Sequence, residues 1–316
     1  MTFRGIAFVP VVISITLALT ACNDSKLVNG ATCTPSATAA PASIAAVRPA
    51  APHFVPSANA AAGSITAQDL LSAIDADPSG FSNVTVTGNA KQYTVFTTLG
   101  TVLPSAGTSF AWFSTGVAGA GTASTLDASV TGTQSGTDLT GAACPGNANS
   151  HDCVTLSFSF VVPDGLHSVA FDFNFMSTEY PEFVGLGYND SFVVSMASAS
   201  HNFTNLVFDH NNNPINIDSV LFTETCQQLT GTGFDLQSFG SCDAGGTGLL
   251  TTTAPVEPGE NVTLTFSVYD SGDGIYDSAV MLDNLRVTPE PVGTPNTGTP
   301  TPPEPTPTAT PDSCPA

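Results

Sequence analysis

The chain reads Thr-Leu-Ser-Phe-Ser-Phe over residues 155–160 and Phe-Asp-Phe-Asn-Phe over residues 171–175. Large apolar residues alternate with polar ones, and successive side chains of a strand point to opposite faces. Each stretch therefore predicts a strand with one buried and one wet face. The same alternation recurs over residues 84–87, 192–196 and 262–268. Together these stretches predict an all-β fold, an antiparallel β-sandwich of the jelly-roll-like kind with phenylalanine rows in its core.

One short N-terminal helix precedes these strands. Thr66-Ala67-Gln68-Asp69 has the pattern of a capping box, and Leu70, Leu71 and Ile74 follow at helical spacing. No alternation of strands and helices follows, which argues against a doubly wound fold. We expect the helix to pack on a sheet.

The charge balance restricts the possible partners. The 316 residues include 26 Asp or Glu and only 5 Lys or Arg, which gives a net charge of −21. Nucleic-acid binding needs a basic face, so nucleic acid is excluded as a partner. Hydrophobic residues make up 41% of the chain, which is more than an acidic disordered chain carries and is enough to build a core.

The N-terminus has the features of an export signal. Arg4 precedes an apolar run over residues 5–19, which ends in Leu19-Thr20-Ala21-Cys22. This ending resembles a bacterial lipobox, and the resemblance implies cleavage after residue 21 and acylation of Cys22, for example with palmitate. Several acyl chains would anchor the protein stably to a membrane. Asn23 favours the outer membrane of the cell envelope, with the protein surface-exposed or periplasmic. The alternative is an ordinary secretory signal.

Six further cysteines predict disulfides in an exported protein. Cys144 with Cys153 and Cys226 with Cys242 are the economical pairs, because each closes a short polar loop. A zinc site is the alternative, but no Cys-x-x-Cys spacing supports it. Cys33 and Cys314 lie in the tails, where they pair with each other or stay free.

Composition divides the chain into four parts. Residues 1–21 are the predicted signal peptide, and residues 22–62 are a tether rich in Ala, Pro, Ser and Thr. Residues 63–288 form the single predicted sandwich domain. Residues 289–316 alternate Thr and Pro and are predicted to be a disordered, extended tail.

Two segments at predicted strand ends, residues 177–192 and 269–284, concentrate polar side chains. The domain has 22 acidic residues but only two cations, Lys91 and Arg286, so most carboxylates need water or a metal ion. Carboxylate and amide oxygens next to glycines suit Ca²⁺. The candidate calcium ligands are Glu179, Asn189, Asp190, Asp270, Asp273 and Asp277. The alternative is that these acids cap backbone amides in turns without a metal.

The same segments resemble the choice-of-anchor L domain, a module of exported bacterial proteins. Residues 177–183 read Ser-Thr-Glu-Tyr-Pro-Glu-Phe, residues 189–192 read Asn-Asp-Ser-Phe, and residues 270–280 read Asp-Ser-Gly-Asp-Gly-Ile-Tyr-Asp-Ser-Ala-Val. Phe-Ser-Thr-Gly at residues 113–116 fits an earlier strand of the family. Thr178 departs from the pattern, which has Glu there. The resemblance implies display on the cell envelope by a variable anchor, here Cys22. No general biochemical activity follows from membership of the family.

These observations predict a non-enzymatic cell-envelope lipoprotein whose sandwich, stabilised by calcium, serves surface interaction or adhesion with an extracellular protein or glycan. The first alternative is a carbohydrate-binding module, for which Trp112 and five tyrosines offer a thin stacking platform. The second is a glycoside hydrolase using Glu179 and Asp273 as paired carboxylates.

Overall fold

The computed structural model describes residues 65–74, 78–118, 144, 147–235, 237, 238, 241–272, 274 and 276–300, which belong to one compact unit. Antiparallel strands are their dominant regular structure, which confirms the predicted all-β sandwich. The elements in chain order are α1 (Ala67–Ala73), a 3-10 helix (Pro78–Gly80), β1 (Phe81–Thr87), β2 (Tyr93–Phe96), β3 (Phe110–Ser114), β4 (Ser150–Val161), β5 (Ser168–Ser177), β6 (Ser191–Ala197), β7 (Asn202–Phe203), β8 (Glu224–Thr225), β9 (Gln237–Ser238), β10 (Ser241–Cys242), β11 (Gly245–Gly246), β12 (Leu250–Pro255), β13 (Asn261–Ser271), β14 (Ser278–Thr288) and β15 (Asn296–Gly298).

The helix α1 begins with the predicted capping box. The Asp69 backbone N–H donates to the Thr66 hydroxyl at 3.2 Å, and the Thr66 backbone N–H donates to the Asp69 carboxylate at 2.8 Å. These two bonds satisfy donors that a helix N-terminus otherwise leaves open. Leu70 and Leu71 are fully buried in the main core, so the helix packs on the sandwich as expected.

Two sheets form the sandwich. Sheet A has the order β1-β4-β13-β6-β7, and sheet B has the order β15-β12-β5-β14-β3-β2, with β11 and β8 extending beside β5. Their inner faces meet through aromatic rings. The ring of Phe171 on β5 lies 5.0 Å from that of Phe266 on β13, and the ring of Phe173 lies 4.9 Å from that of Phe192 on β6. The predicted phenylalanine rows therefore form the core, as the period-two pattern indicated.

Sheet B is also covered in part on its outer face. A second apolar cluster packs there around Trp112, with Phe110, Met281 and Phe234 among its members. Part of the cover is the disulfide lobe, which we define as residues 222–235 and 241–247. Trp112 is completely buried, so the only tryptophan of the chain offers no stacking surface to a ligand.

The rest of this outer face is polar. Arg286 on β14 pairs with Asp172 on β5 at 3.1 Å, and Asn284 donates to the same carboxylate at 2.7 Å. The neighbouring Asp283 accepts the backbone N–H groups of Ser105 and Ala106 at 2.6 and 3.0 Å. Asp283 thereby fastens the β2–β3 loop to the sheet.

Both predicted disulfides are confirmed. Cys144 is bonded to Cys153, and Cys226 is bonded to Cys242. The first bond joins Cys144, before β4, to Cys153 within β4, at a sequence separation of 9. The second lies within the disulfide lobe and has a sequence separation of 16. Cys22, Cys33 and Cys314 lie outside the described residues.

The ordered sheet extends past Thr288, where the sequence predicted the tail to begin. Asn296–Gly298 form β15, which pairs with β12 through Thr297 opposite Thr252, and the hydroxyls of these two threonines lie 2.7 Å apart. This strand occupies one edge of sheet B. Composition gave no sign of it, because three residues are too few to display an alternating pattern.

Candidate functional site

Four of the six predicted calcium ligands meet at one end of the sandwich. Glu179 follows β5, Asp190 precedes β6, Asp270 lies near the end of β13, and Asp277 precedes β14. The Asp190 side chain interacts with those of Glu179 and Asp270, and the Asp270 carboxylate interacts in turn with that of Asp277. These four residues therefore form one site, which joins the ends of sheets A and B and is called the acidic end below. All four side chains are buried.

Asp190 is fully buried and well supported by hydrogen bonds. Its Oδ1 accepts the backbone N–H of Ser271 at 3.0 Å, and its Oδ2 accepts the hydroxyl of Ser278 at 2.7 Å. Burial nevertheless raises the pKa of Asp190 from 3.8 to about 6, because these two bonds only partly offset the loss of water around the charge. Asp190 links the start of β6 to both β13 and β14.

Asp270 has far less support. It is 1% exposed, and neither of its carboxylate oxygens has a hydrogen bond of ordinary geometry. Burial is the main reason why its pKa lies well above 3.8, and the charges of Asp190 and Asp277 raise it further. The Thr115 hydroxyl opposes this rise only in part. A buried carboxylate in these surroundings is unfavourable unless a proton or a cation neutralises it.

Asp277 is held in place by its backbone and by a close neighbour. Its carbonyl oxygen accepts the backbone N–H and the hydroxyl of Thr178 at 3.1 and 3.0 Å. Its carboxylate lies against Gly116, where an added Cβ would approach Oδ2 to 2.0 Å. Residue 116 must therefore be glycine for the Asp277 side chain to lie there. Thr178, which departs from the family pattern, anchors the β13–β14 loop through its hydroxyl.

The structure describes only one of the other two predicted ligands. Asn189 is half-buried, and its side-chain oxygen has no hydrogen-bond partner although that atom is buried. Asp273 lies outside the described residues, so the hypothesised glycosidase pair of Glu179 and Asp273 is not described either. Across the described ranges, no group of three or more His, Cys, Asp and Glu side chains is arranged so that it could hold a metal ion.

The donor chemistry nevertheless fits a hard cation. The site supplies carboxylate and amide oxygens, and the two oxygens of Asp270 and Oδ1 of Asn189 are buried without hydrogen bonds. Neither of the two described basic residues pairs with these acids: Arg286 bonds to Asp172, and Lys91 makes no described ion pair. Ca²⁺ binds six to eight such oxygens in flexible geometry, so this set suits calcium better than zinc or a transition metal.

Aromatic contacts fix the β5–β6 loop above the acids. The ring of Phe183 lies 5.2 Å from that of Tyr276 and 5.6 Å from that of Tyr188. Within the same loop, Val184 and Leu186 are 43% and 63% exposed. The acidic end of the sandwich thus presents apolar side chains to solvent.

Three hydroxyl-bearing residues of the site had no role in the sequence-based prediction. Ser278 donates to Asp190, and Thr115 accepts the backbone N–H of Ser278 at 2.9 Å. Thr178 bonds to Asp277 as described above. All three lie in the segments that resemble the family, so their positions in those motifs were the available signal.

The fold and the site together define a β-sandwich with two disulfides and a cluster of buried acids at one end. The chain belongs to the choice-of-anchor L domain family, whose model matches residues 59–286. This match confirms the resemblance drawn from the motifs, and the family indicates a protein of the cell surface. No helix among the described residues has the length and apolar character needed to span a membrane.

Other comparisons are weak. No curated protein sequence matches the chain. It is similar to TmCBM61, a carbohydrate-binding module solved in complex with beta-1,4-galactotriose, with 12% identity, a TM-score of 0.29, and coverage of 67% of this chain and 92% of that one. It is also similar to the enzymatically active domain of tailspike protein 4 of Bacteriophage CBA120, with 11% identity, a TM-score of 0.26 and coverage of 68% of this chain and 20% of that one. Both TM-scores are too low to support any functional argument.

Proposed function

We propose that this chain is a non-enzymatic cell-envelope lipoprotein, anchored by lipid on Cys22 and most simply placed in the outer membrane. Its β-sandwich serves surface interaction or adhesion with an extracellular protein or glycan, and Ca²⁺ stabilises the acidic end. The observation that carries the calcium part is Asp270, a buried carboxylate without hydrogen bonds beside Asp190 and Asp277.

In this proposal the calcium ion is held by the six predicted ligands, and it supplies the positive charge that the described side chains of the site lack. Asp190 already connects β6, β13 and β14 through its hydrogen bonds. Neutralising its neighbours would hold the β5–β6 loop in one position, with Val184 and Leu186 exposed. Those apolar side chains are the part of this end best suited to contact a partner.

Isothermal titration calorimetry on the oxidised protein tests the calcium part. We expect saturable binding of Ca²⁺ and much weaker binding of Mg²⁺, which demands a stricter octahedral site. Asp270→Asn should weaken Ca²⁺ binding at least about tenfold, since it removes one charged ligand. Asp164→Asn is the matched control, because Asp164 is exposed on the β4–β5 turn, at the opposite end of β5 from Glu179. An absence of Ca²⁺ binding at millimolar concentration would contradict the proposal.

Two experiments test the rest of the proposal. Metabolic labelling with an alkyne analogue of palmitate should label the wild-type chain and the Cys33→Ser variant but not Cys22→Ser. Label that persists in Cys22→Ser would overturn the anchor. Oligosaccharide turnover that is lost in Glu179→Gln would overturn the non-enzymatic assignment, and glycan binding without turnover would favour the carbohydrate-binding alternative.

A further inference from the structure

A pocket on the outer face of sheet B shares no residue with the proposed calcium site. Its floor is formed by Asn174 on β5 and Met281 on β14, which are paired neighbours on the sheet. The β2–β3 loop forms one wall and the disulfide lobe forms another. The cavity volume is about 140 Å³. Sites for drug-sized ligands measure roughly 300–1,000 Å³, so this pocket suits a single side chain or a small molecule.

The pocket contains one carboxylate, that of Glu224 on β8. The amide nitrogen of Asn174, a side chain only 6% exposed, donates to its Oε2 at 3.2 Å and fixes the carboxylate in position. Among the described residues, no other hydrogen bond and no Lys or Arg reaches this carboxylate. Its negative charge therefore faces the pocket without a counter-ion from the described protein.

The rest of the lining is mixed: Thr101 and Gln228 are polar, and Val102, Leu103, Leu229, Leu249 and Met281 are apolar. Leu103 and Leu249 stand at the rim with 64% and 37% of their surfaces exposed, and Met281 contributes its flexible thioether to the floor. The lining includes no aromatic ring on which a sugar could stack. The apolar side chains together with the single carboxylate match a ligand with a short methylene stem and a terminal positive charge.

We propose that this pocket binds a primary alkylammonium group, with the ammonium on Glu224 and the methylene stem against Leu103, Leu249 and Met281. The source of the group is either a free amine or the lysine side chain of a partner protein. The net charge of −21 concentrates cations around the molecule and favours their encounter with the pocket. The proposal does not rest on the proposed calcium function, since the two sites share no residue.

Methyl-labelled methionine gives a direct readout on the full oxidised chain, which has four methionines. The probes are Nα-acetyl-lysine methylamide for the protein side chain and 1,5-diaminopentane for the free amine. Nα-acetyl-norleucine methylamide, which lacks the charge, is the matched control. We expect the Met281 methyl resonance to shift saturably with an amine probe, while Met196 in the main core stays unchanged. The probe that binds more tightly identifies the source.

Glu224→Gln keeps an acceptor for Asn174 but removes the charge, and it should weaken amine binding at least about tenfold. Unchanged resonances of Met196 would show that this variant is folded. Leu103→Ala, a change at the exposed rim, should weaken binding of the lysine probe less than Glu224→Gln does. Three results would each overturn the proposal. The first is an equal shift with the norleucine control, and the second is the absence of a Met281 shift at about 50 mM amine, the weakest binding of interest. The third is a shift with neutral hexoses alone.

Discussion

Without calcium, the free energy of unfolding should fall as the pH rises from 4 to 7. Burial raises the pKa of Asp190 in the folded state to about 6, against an ordinary value of 3.8. The folded protein therefore holds this proton more tightly than the unfolded chain does. The resulting stabilisation is fully present below pH 3.8 and is lost as the pH rises through 6.

The size of this effect follows from the two pKa values. A separation of about two pH units, at about 1.4 kcal/mol each, corresponds to about 3 kcal/mol of unfolding free energy for Asp190 alone. The pKa of Asp270 is also raised well above 3.8, chiefly by burial, so it acts in the same direction. Burial likewise raises the pKa of Asp283 to about 6. Asp283 therefore adds its own loss of unfolding free energy with rising pH, although it lies outside the acidic end.

Urea unfolding followed by the fluorescence of Trp112, the only tryptophan, measures this free energy at each pH. The experiment uses oxidised protein in EDTA. Asp270→Asn separates the contribution of the acidic end from that of Asp283. Because the neutral amide does not titrate, the fall between pH 4 and 7 should become smaller than in the wild type. Asp164→Asn makes the same change in net charge at an exposed turn and should leave the fall unchanged.

Saturating calcium should reduce the fall in the wild type, because the cation neutralises the carboxylates that otherwise lose their protons. A stability that is constant or rises from pH 4 to 7 in EDTA would refute the reasoning. Equal falls in the wild type and in Asp270→Asn would show that the pH dependence comes from elsewhere in the molecule.

Three further changes test the structure. Replacing Cys226 and Cys242 together by serine should lower the unfolding free energy by about 3 kcal/mol, because the disulfide joins residues with a sequence separation of 16. An unchanged unfolding free energy in calorimetry would show that the lobe does not depend on this bond. Gly116→Ala should cost about 1–3 kcal/mol by forcing a methyl group onto a buried carboxylate, whereas Gly80→Ala, with open space around it, should be nearly neutral; equal melting temperatures for both would be inconsistent with the described packing. Thr66→Ala should cost about 1 kcal/mol by removing the helix cap, and an unchanged urea midpoint would show that the cap does not matter.

Much of the fold was predictable because its signals are local. A strand of the sandwich shows its buried face in every second residue, as in β13 with Val262 and Leu264 inward and Thr263 outward. The capping box and the disulfides also follow from short-range patterns. Each of these features depends on residues that lie close together in sequence.

The features that the sequence did not reveal depend on distant contacts. Strand β3 is buried on both faces because the disulfide lobe covers its outer side, more than a hundred residues further along the chain. Trp112 was considered as a stacking platform, but it is wholly buried in that cluster. The edge strand β15 is likewise defined by its pairing with β12.

The acidic end was predictable in its residues but not in its energetics. Their positions at predicted strand ends indicated that Asp190, Asp270 and Asp277 lie where strands meet loops, and the motifs indicated which strands. The complete burial of Asp270 depends on how the two sheets meet, which no local pattern specifies. The same holds for the hydroxyls of Thr115 and Ser278, which contact the acids only in the folded domain.

The most direct test of the calcium-stabilised module is a thermal melt of the oxidised protein in EDTA and across a calcium titration. A ligand that binds only the folded state stabilises it by about 2.7 kcal/mol at a hundred times its Kd, which corresponds to a rise of a few degrees for a domain of this size. We predict a saturable rise in Tm that is specific for Ca²⁺ and is lost in Asp270→Asn. A Tm that does not respond to Ca²⁺, or that rises equally in Asp270→Asn, would contradict the account.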